Sequence, residues 1–329
     1  MTEITEYTEY RIAVILWKAF PPIWLGIGTF GNILTIIILS QRKSRQSSTA
    51  IYLAALAVSD LLVLWSGLLR HWIKYTFETD LVDLSVIWCK TQIFLVYTGF
   101  QCSSWFLVAV TSERFIGVWS PHKVKFICSP KKSCVIIVII TSFFVLLNTH
   151  WYYGFSIISH STNNETDEFH CENIDDDNYR TFLEKWDWVD LCLVSLIPMT
   201  LFLFANCSII FFLIKRKKST LNRIAPLNGT ASAPGRKMSQ MTVTLVIVNI
   251  VFIVCSTPIC IHIIKQPYTA EVTNQDTAVL ELWWAVVNCL AYLNNTLNFV
   301  LYFLSGSKFR KQVRAFFRRE SSTTLSDMY

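Results

Sequence analysis

The chain has 329 residues, of which 53% are hydrophobic and only 16% are charged, with a formal net charge of +6. An average soluble domain carries about 25% charged residues, so this composition excludes a soluble globular protein. Gly and Pro, at 10 and 9 residues, are too few for a collagen-like or disordered chain. The mean hydropathy of +0.41 also indicates a predominantly apolar chain. The sequence is that of an integral membrane protein.

Seven apolar stretches are long enough to cross a bilayer, which takes about 20 residues of helix. They lie at 12–39, 50–73, 88–118, 134–157, 186–214, 239–264 and 280–304. The segment before them is acidic and lacks the basic start of a cleaved signal peptide, so we expect 1–11 to be a tail and the first span an uncleaved anchor. The pattern predicts an all-α membrane protein, a seven-helix bundle over 12–304.

Lysine and arginine give the orientation. The loops 40–49, 119–133 and 215–238 and the segment after 305 hold three, four, seven and six of the 29 basic residues. Excess basic charge marks cytoplasmic segments, so the N-terminus is predicted outside and the C-terminus inside. The outer loop between spans four and five holds eight acidic residues and the sequon at Asn164, a candidate glycosylation site.

Two cysteines, Cys89 and Cys171, fall at or beyond the outer boundary, where disulfides persist. Their pairing would tie the long acidic loop to the top of span three. The other eight lie in spans or on the inner side and are interpreted as small packing residues, except Cys128 of the second inner loop, to which no role is assigned.

After span seven, basic and apolar residues alternate at helical spacing. This predicts an amphipathic helix over 305–320 that lies on the inner lipid surface. Residues 321–329 form a short tail that is either phosphorylatable, and so suited to arrestin and receptor kinases, or simply a polar end. Its candidate acceptors are Ser321, Ser322, Thr323, Thr324 and Ser326.

Polar residues at membrane depth are costly and mark function or a satisfied packing network. Asp60 is the carboxylate, and the other candidates at this depth are Asn32, Ser103, Asn294, Asn295 and Asn298. A carboxylate among hydroxyl and amide oxygens suits a sodium ion or a proton. The alternative is a hydrogen-bond network that only fixes helix packing. For the network we name Asp60, Ser103, Asn294 and Asn298.

Two further features have both a structural and a functional interpretation. Glu113 and Arg114, at the inner end of span three, form either a helix-end ion pair or a latch that opens when the helices part. Pro198 and Pro258 each kink a span and provide either hinges or static curvature.

Several motifs match one family span by span. They are Gly31-Asn32, Leu53-Ala54-x-Leu56-Ala57-x-Ser59-Asp60, Cys89, Glu113-Arg114-Phe115, Phe252-x-x-Cys255-x-x-Pro258, Asn298-x-x-x-Tyr302 and Phe309-Arg310. Together they resemble the rhodopsin-like (class A) G-protein-coupled receptors over nearly the whole chain. The resemblance implies a plasma-membrane receptor in which the motifs of spans three, six and seven serve activation and coupling: Glu113, Arg114, Phe115, Phe252, Pro258, Asn298 and Tyr302.

The sequence departs from the family pattern at four informative positions. Ser256 replaces the aromatic switch of span six, and Phe299 replaces the proline of span seven. Asn206 stands where span five has a tyrosine, and Met238 where some relatives have an acid. The activation trigger and the inactive-state lock are therefore expected to differ. The remaining pattern looks most like invertebrate neuropeptide receptors, the FMRFamide-receptor-like group.

Elimination narrows the ligand. Residues 280–304 contain no lysine for a retinal Schiff base, and Val96 stands where amine receptors have an aspartate, so an opsin or a monoamine receptor is not indicated. The candidate ligand residues in the outer half are Arg70, Lys74, Tyr97, Phe100, Gln101, Asp187, Asp190, His262 and Trp284. Two alternatives stay open: the aromatics form an interfacial belt, or Arg70 pairs with Asp190 across the cavity.

We therefore predict a receptor for an extracellular, short, amidated and cationic peptide, drawn by the acidic outer loop and bound through Asp190. The family resemblance implies allosteric signalling to a heterotrimeric G protein. The alternatives are a receptor for a small organic ligand, bound through Arg70 and Lys74, and a transporter or channel. No enzyme, no nucleic-acid partner and no cofactor beyond a sodium ion is expected.

Overall fold

The computed structural model describes residues 4–42, 44–161, 167–224, 236–265 and 273–326. Their long helices are α1 (Thr8–Leu39), α2 (Ser48–Val63 and Leu69–Phe77), α3 (Val86–Trp119), α4 (Pro130–Leu147), α5 (Asp177–Leu191 and Ile197–Ile224), α6 (Arg236–Lys265), α7 (Asn274–Ser305) and α8 (Ser307–Ser326). The two parts of α2 and of α5 are joined by π-helical turns, Leu64–Leu68 and Cys192–Leu196. The short connections include helical turns at Leu81–Leu84, Val124–Ile127, Asn148–His150 and Trp151–Gly154.

The predicted seven-helix bundle, with a further helix after the last span, is confirmed. Within the described ranges, six helices are long and apolar enough to cross a membrane by composition alone. The seventh, α7, has 32 residues, which is ample length at 1.5 Å per residue. Its mean hydropathy is lowered by four asparagines that are all buried inside the bundle: Asn288, Asn294, Asn295 and Asn298.

Capping residues set several helix ends outside the predicted spans. Asp176 accepts hydrogen bonds from the backbone N–H groups of Asn178 and Tyr179, so α5 begins at Asp177 rather than near 186. A hydrogen bond from the Tyr153 hydroxyl, with these backbone donors, lowers the pKa of Asp176. Thr273 and Asp276 form a capping box, which starts α7 at Asn274 rather than at 280.

The connection between α4 and α5 contains the one sheet of the described residues, which the all-α prediction missed. Span four was expected to reach residue 157. Beyond α4 the chain stays helical through the turns Asn148–His150 and Trp151–Gly154 and then enters strand β1 (Phe155–Ser161). It pairs antiparallel with β2 (Asp167–Asn173), with Ile157 opposite Cys171. The apolar start of β1 continues the hydropathy of α4, so composition alone could not separate helix from strand.

At the other end, α8 extends to Ser326 and includes part of the segment that was predicted as a tail after 320. The end of the chain after Ser326, and the predicted glycosylation site at Asn164, lie outside the described residues.

Aromatic and aliphatic side chains fill the bundle in two clusters. The inner cluster includes Tyr52, Phe106, Phe202, Phe252 and Tyr302. The outer cluster is centred on the following buried residues: Trp17, Leu64, Leu68, Ala285 and Tyr292. Many large apolar side chains instead face outward along α1, α4 and α5, as a bilayer solvent requires.

Candidate functional site

A cavity of about 270 Å³ opens in the outer half of the bundle between α2, α3, α5, α6 and α7. Five of the nine predicted ligand residues line it: Arg70, Tyr97, Phe100, Asp190 and Trp284. The other four, Lys74, Gln101, Asp187 and His262, are not in its wall. The wall also contains residues that were not predicted as ligand contacts, among them His71, Gln92, Ser256, Asn288 and Tyr292.

One glycine explains how α7 reaches the cavity. A Cβ added at Gly67, in the π-helical turn of α2, would lie only 2.5 Å from the Tyr292 hydroxyl. The missing side chain lets Tyr292 cross toward α2, where its ring lies 5.7 Å from Phe100 and 6.2 Å from His71. A larger residue at position 67 would displace this part of the wall.

The basic residues at the cavity mouth are occupied by a carboxylate of the first outer loop. Arg70 donates from Nε and Nη2 to the two oxygens of Asp80, at 2.8 and 2.9 Å, and Lys74 Nζ lies 3.2 Å from Asp80. Burial opposes ionisation of Asp80, but Arg70 and Lys74 outweigh it and lower the pKa of this carboxyl to about 2. The alternative in which Arg70 pairs with Asp190 is therefore wrong.

Asp190 has a different environment. Its Oδ1 accepts a hydrogen bond of 2.7 Å from Gln101 Nε2, and among the described residues it forms no ion pair. Asp187, one turn earlier, is exposed and outside the cavity wall. His262 is buried, with its ring 5.3 Å from that of Trp284. Asp190 is thus a carboxylate in the cavity wall with a neutral partner.

The outer loops close over this region through the predicted disulfide, which is confirmed. Cys89 at the start of α3 is bonded to Cys171 in β2, with Cα atoms 5.7 Å apart. Asp83 reinforces the link, because one of its oxygens accepts from the Cys171 backbone N–H at 2.7 Å and the other lies 3.3 Å from His170 Nδ1. The hairpin is therefore fixed to both α3 and the first outer loop.

Below the cavity, Asp60 is fully buried, and both of its carboxylate oxygens accept hydrogen bonds. Ser103 Oγ and Asn295 Nδ2 donate to Oδ1 at 2.7 and 2.8 Å, and Asn298 Nδ2 donates to Oδ2 at 2.7 Å. Asn294, which was named for this network, lines the cavity instead, and its neighbour Asn295 takes that place. Ser103 and Asn295 also line the cavity floor, so the cavity and the Asp60 network meet.

At the inner end of α3, Glu113 and Arg114 form no ion pair with each other among the described contacts. Glu113 accepts from the hydroxyls of Ser48 and Thr49, both at 3.0 Å, and Arg114 Nη2 donates to Thr49. Both residues thus bind the start of α2. Phe115 packs on the other side, with its ring 5.8 Å from those of Trp119 and Phe204.

Two departures from the family motifs have a direct packing explanation. Asn206 of α5 accepts from Asn249 of α6 at 3.1 Å, and Asn249 also bonds Thr111 of α3, so three helices share one polar contact. Phe299 lies against Gly31 of α1, where an added Cβ would be 2.8 Å away. The Asn249 contact was missed because it follows no motif.

The remaining predicted activation residues lie around the inner core. Phe252 packs edge-on against Phe202 at 5.2 Å and also lines the cavity, four residues before Ser256 in the same wall. Pro258 lies inside α6, while Pro198 is the second residue after the π-helical turn of α5. The Tyr302 ring lies 6.0 Å from that of Phe309 at the start of α8.

Comparison with known proteins agrees with this arrangement. Residues 31–302 match the 7 transmembrane receptor (rhodopsin family). The chain belongs to this family. It is similar to the thyrotropin-releasing hormone receptor of Mus musculus, at 25% identity over 93% of this chain and 79% of that receptor. It is also similar to C-C chemokine receptor type 1 of Homo sapiens, at 26% identity over 94% and 82%, and to an FMRFamide peptide receptor of Caenorhabditis elegans, at 24% over 92% and 69%.

Membership of the family establishes the class of this protein. It is a multi-pass receptor of the plasma membrane and not an enzyme, as predicted. The three relatives named above are, by name, receptors for a releasing hormone, for chemokines and for an FMRFamide peptide. The expectation of a neuropeptide-receptor-like protein in the rhodopsin-like class is thereby supported at the level of the family.

Proposed function

We propose that this rhodopsin-family receptor binds a short, amidated, cationic peptide from outside the cell and signals to a heterotrimeric G protein. The observation that carries the proposal is Asp190, an acidic side chain in the cavity wall whose partner is the neutral amide of Gln101. A carboxylate at membrane depth without a cation is costly, and an arginine or lysine of a ligand would supply one.

The other charges of the site favour the same sign of ligand. Arg70 and Lys74 share the carboxylate of Asp80, which reduces their attraction for a ligand acid. Eight acidic residues lie in the outer loop and in the first half of the Asp177–Leu191 part of α5. They attract a cation at long range. The aromatic wall of Tyr97, Phe100 and Trp284 suits the hydrophobic end of a peptide.

The proposed mechanism is an allosteric shift between two bundle states. A ligand that contacts Phe252 and Ser256 at the base of the cavity acts directly on α6 near Pro258. Outward movement of α6 would open the inner face around Arg114 to the G protein. Agonist and G protein then strengthen each other's binding, because the coupling is reciprocal.

The Asp60 network also fits an allosteric sodium ion. The oxygens that would hold it are those of Asp60, Ser103 and Asn295; Asn295 Oδ1 is buried and lacks a hydrogen-bond partner among the described residues. Bound there, the cation would supply a positive charge that neutralises the buried carboxylate. We further propose that arrestin and receptor kinases act on the serines and threonines at 321–326, and that α8 rests on anionic lipid.

The test is a screen of amidated peptides, including Phe-Met-Arg-Phe-amide, on cells that express the chain with a promiscuous G protein. We expect a response to at least one arginine- or lysine-containing peptide, and Asp190→Asn should lower its potency at least about tenfold. Asp187→Asn is the matched control, because it removes the same charge from the same helix outside the cavity and should change potency only about twofold.

Two results would overturn the proposal. Equal potency on wild type and Asp190→Asn, at equal surface expression, would exclude the ion pair. A response to small carboxylates with silence to every peptide would instead indicate a receptor for small organic ligands, and agonist-free ion flux in a patch-clamp recording would indicate a channel.

A further inference from the structure

Behind the cavity wall, four side chains from the α4 end, α3 and α5 form a row of hydrogen bonds. Trp151 Nε1 donates to Asn148 Oδ1 at 3.2 Å, Asn148 Nδ2 donates to Gln101 Oε1 at 2.6 Å, and Gln101 Nε2 donates to Asp190 Oδ1 at 2.7 Å. Asn148 and Gln101 are fully buried and Trp151 is 3% exposed. We call these four residues the donor row; only Asp190 lines the cavity.

Trp151 and a backbone carbonyl fix the direction of the donor row. An indole N–H can only donate, whereas the two amides that follow it can face either way. Asn148 Nδ2 also lies 2.9 Å from the Phe144 backbone carbonyl, which can only accept, and 3.1 Å from the Thr98 hydroxyl, so its NH2 group must face this side. Every bond then points from Trp151 toward Asp190, and Gln101 is held with its NH2 group on the carboxylate.

We infer that Trp151 and Asn148 are positioning residues for ligand charge: they orient the Gln101 amide so that it stabilises Asp190 as an anion and leaves Oδ2 for a cationic ligand. This rests on the proposed function, since it deepens the role given there to Asp190. Among the described residues, no hydrogen bond occupies Oδ2 of Asp190. A flipped Gln101 would present its carbonyl oxygen to Asp190 and favour the neutral acid instead.

The sharpest variant reverses the row. Asn148→Asp keeps the size of the side chain and, as an ionised carboxylate, offers only acceptor oxygens, so Gln101 must turn its NH2 group toward residue 148. Its carbonyl then faces Asp190, which can keep the contact only as a protonated acid that donates. Trp151→Phe is the second variant, since it removes the indole contact with Asn148 Oδ1 and leaves the amide held only from its NH2 side, which weakens its hold on Gln101.

The first readout needs no ligand. Infrared spectra of the full-length receptor in nanodiscs at neutral pH are recorded for wild type and each variant. From each spectrum, the spectrum of the same protein with Asp190→Asn added is subtracted. The difference isolates the carboxyl of Asp190. We expect its protonated C=O band to grow at least about threefold in Asn148→Asp and to a smaller extent in Trp151→Phe. An unchanged band in both, or an Asp190 already fully protonated in wild type, would overturn the inference.

Trp105→Phe is the matched control. Trp105 Nε1 donates to the Leu193 backbone carbonyl at 2.8 Å, so this variant also removes an indole hydrogen bond between α3 and α5 but leaves the donor row intact. A purely structural role of Trp151, whose ring packs 4.5 Å from that of Tyr97, would give the same small change as Trp105→Phe. That outcome would also overturn the inference.

The second readout compares Phe-Met-Arg-Phe-amide with its citrulline analogue, which has the shape of arginine without the charge. We expect Asn148→Asp to lower the preference for the charged peptide about tenfold, with a smaller loss for the neutral one. If Asp190→Asn leaves the preference unchanged, the proposed ion pair fails while the infrared result still decides the donor row. If Asp190→Asn abolishes the preference and Asn148→Asp does not, the donor row fails alone.

Discussion

Two carboxylates inside one bundle have opposite environments. Asp60 accepts hydrogen bonds from three side chains on two helices and is 0% exposed. Asp190, in the cavity wall, has one described donor, Gln101. The inner carboxylate is therefore satisfied by the receptor itself, whereas the outer one has capacity for a further partner. The number of donors that the receptor itself supplies, more than the depth of the charge, therefore distinguishes the two carboxylates.

The largest effect is expected where the partners are most numerous. Asp60→Ala leaves the donors of Ser103, Asn295 and Asn298 without an acceptor in a dry site, at a cost of about 3–5 kcal/mol in the free energy of unfolding. Asp190→Asn keeps a hydrogen-bonding group beside Gln101 and should cost about 1 kcal/mol or less. Thermal unfolding of both variants in detergent measures the difference.

Asp60→Asn controls for size and adds a second measurement. It keeps the side-chain volume but removes the charge that a sodium ion requires, so agonist affinity should lose its dependence on sodium concentration. The comparison fails if Asp60→Ala is as stable as wild type. It also fails if Asp60→Ala destabilises the receptor no more than Asp190→Asn does.

A third carboxylate, Asp80 at the cavity mouth, lies between these cases because cations satisfy it. Its folded-state pKa of about 2 is below the unfolded value of about 3.9. The group therefore contributes about 2 kcal/mol to the free energy of unfolding, and this contribution is fully present at pH values above the unfolded pKa. It is lost as pH falls through about 4 toward 2. Between pH 5 and 8 this group should cause no change in stability.

Asp80→Asn tests that pH window. The variant should be less stable than wild type at neutral pH by about 2 kcal/mol, and the difference should shrink as the pH approaches about 2. Unfolding midpoints measured across this range supply the comparison. A constant difference at every pH would mean that Arg70 and Lys74 do not hold the charged form of Asp80 in the folded receptor.

Sequence reasoning recovered the helices better than the partners of the charges. Length and hydropathy predicted the seven spans even for α7, whose asparagines depress its apolarity because they face inward. It did not find the partner of Arg70, since Asp80 lies in a loop whose path the spans do not determine. The choice between Asn294 and Asn295 depends on a helical phase difference of about 100° that neighbouring interior positions do not resolve.

The β-hairpin and the donor row were missed for related reasons. Phe155 and Ile157 are as apolar as a helix end, and only pairing with β2 makes them a strand. Asn148 follows a run of apolar residues in span four, and nothing in the sequence indicated that it bonds Gln101, 47 residues away. Motifs predicted the activation residues, but contacts specific to this chain, such as that of Asn249 with Asn206, depend on how the helices pack.

The smallest expected effect concerns the polar contact of Asn249 with α3 and α5. Asn249 is 0% exposed and bonds Thr111 of α3 and Asn206 of α5, so it holds α6 against both helices in this structure. Asn249→Leu keeps the volume but removes these bonds, at about 1 kcal/mol of net stabilisation of the closed bundle. Basal G-protein signalling, measured without agonist at equal surface expression, should rise about fivefold. Thr296→Val is the control, because among the described residues the Thr296 hydroxyl bonds only the Tyr292 carbonyl of its own helix, and its loss should leave basal signalling unchanged. Equal basal activity of Asn249→Leu and wild type would mean that the polar contact between α3, α5 and α6 is neutral between the closed and open bundle, as a group equally satisfied in both states would be.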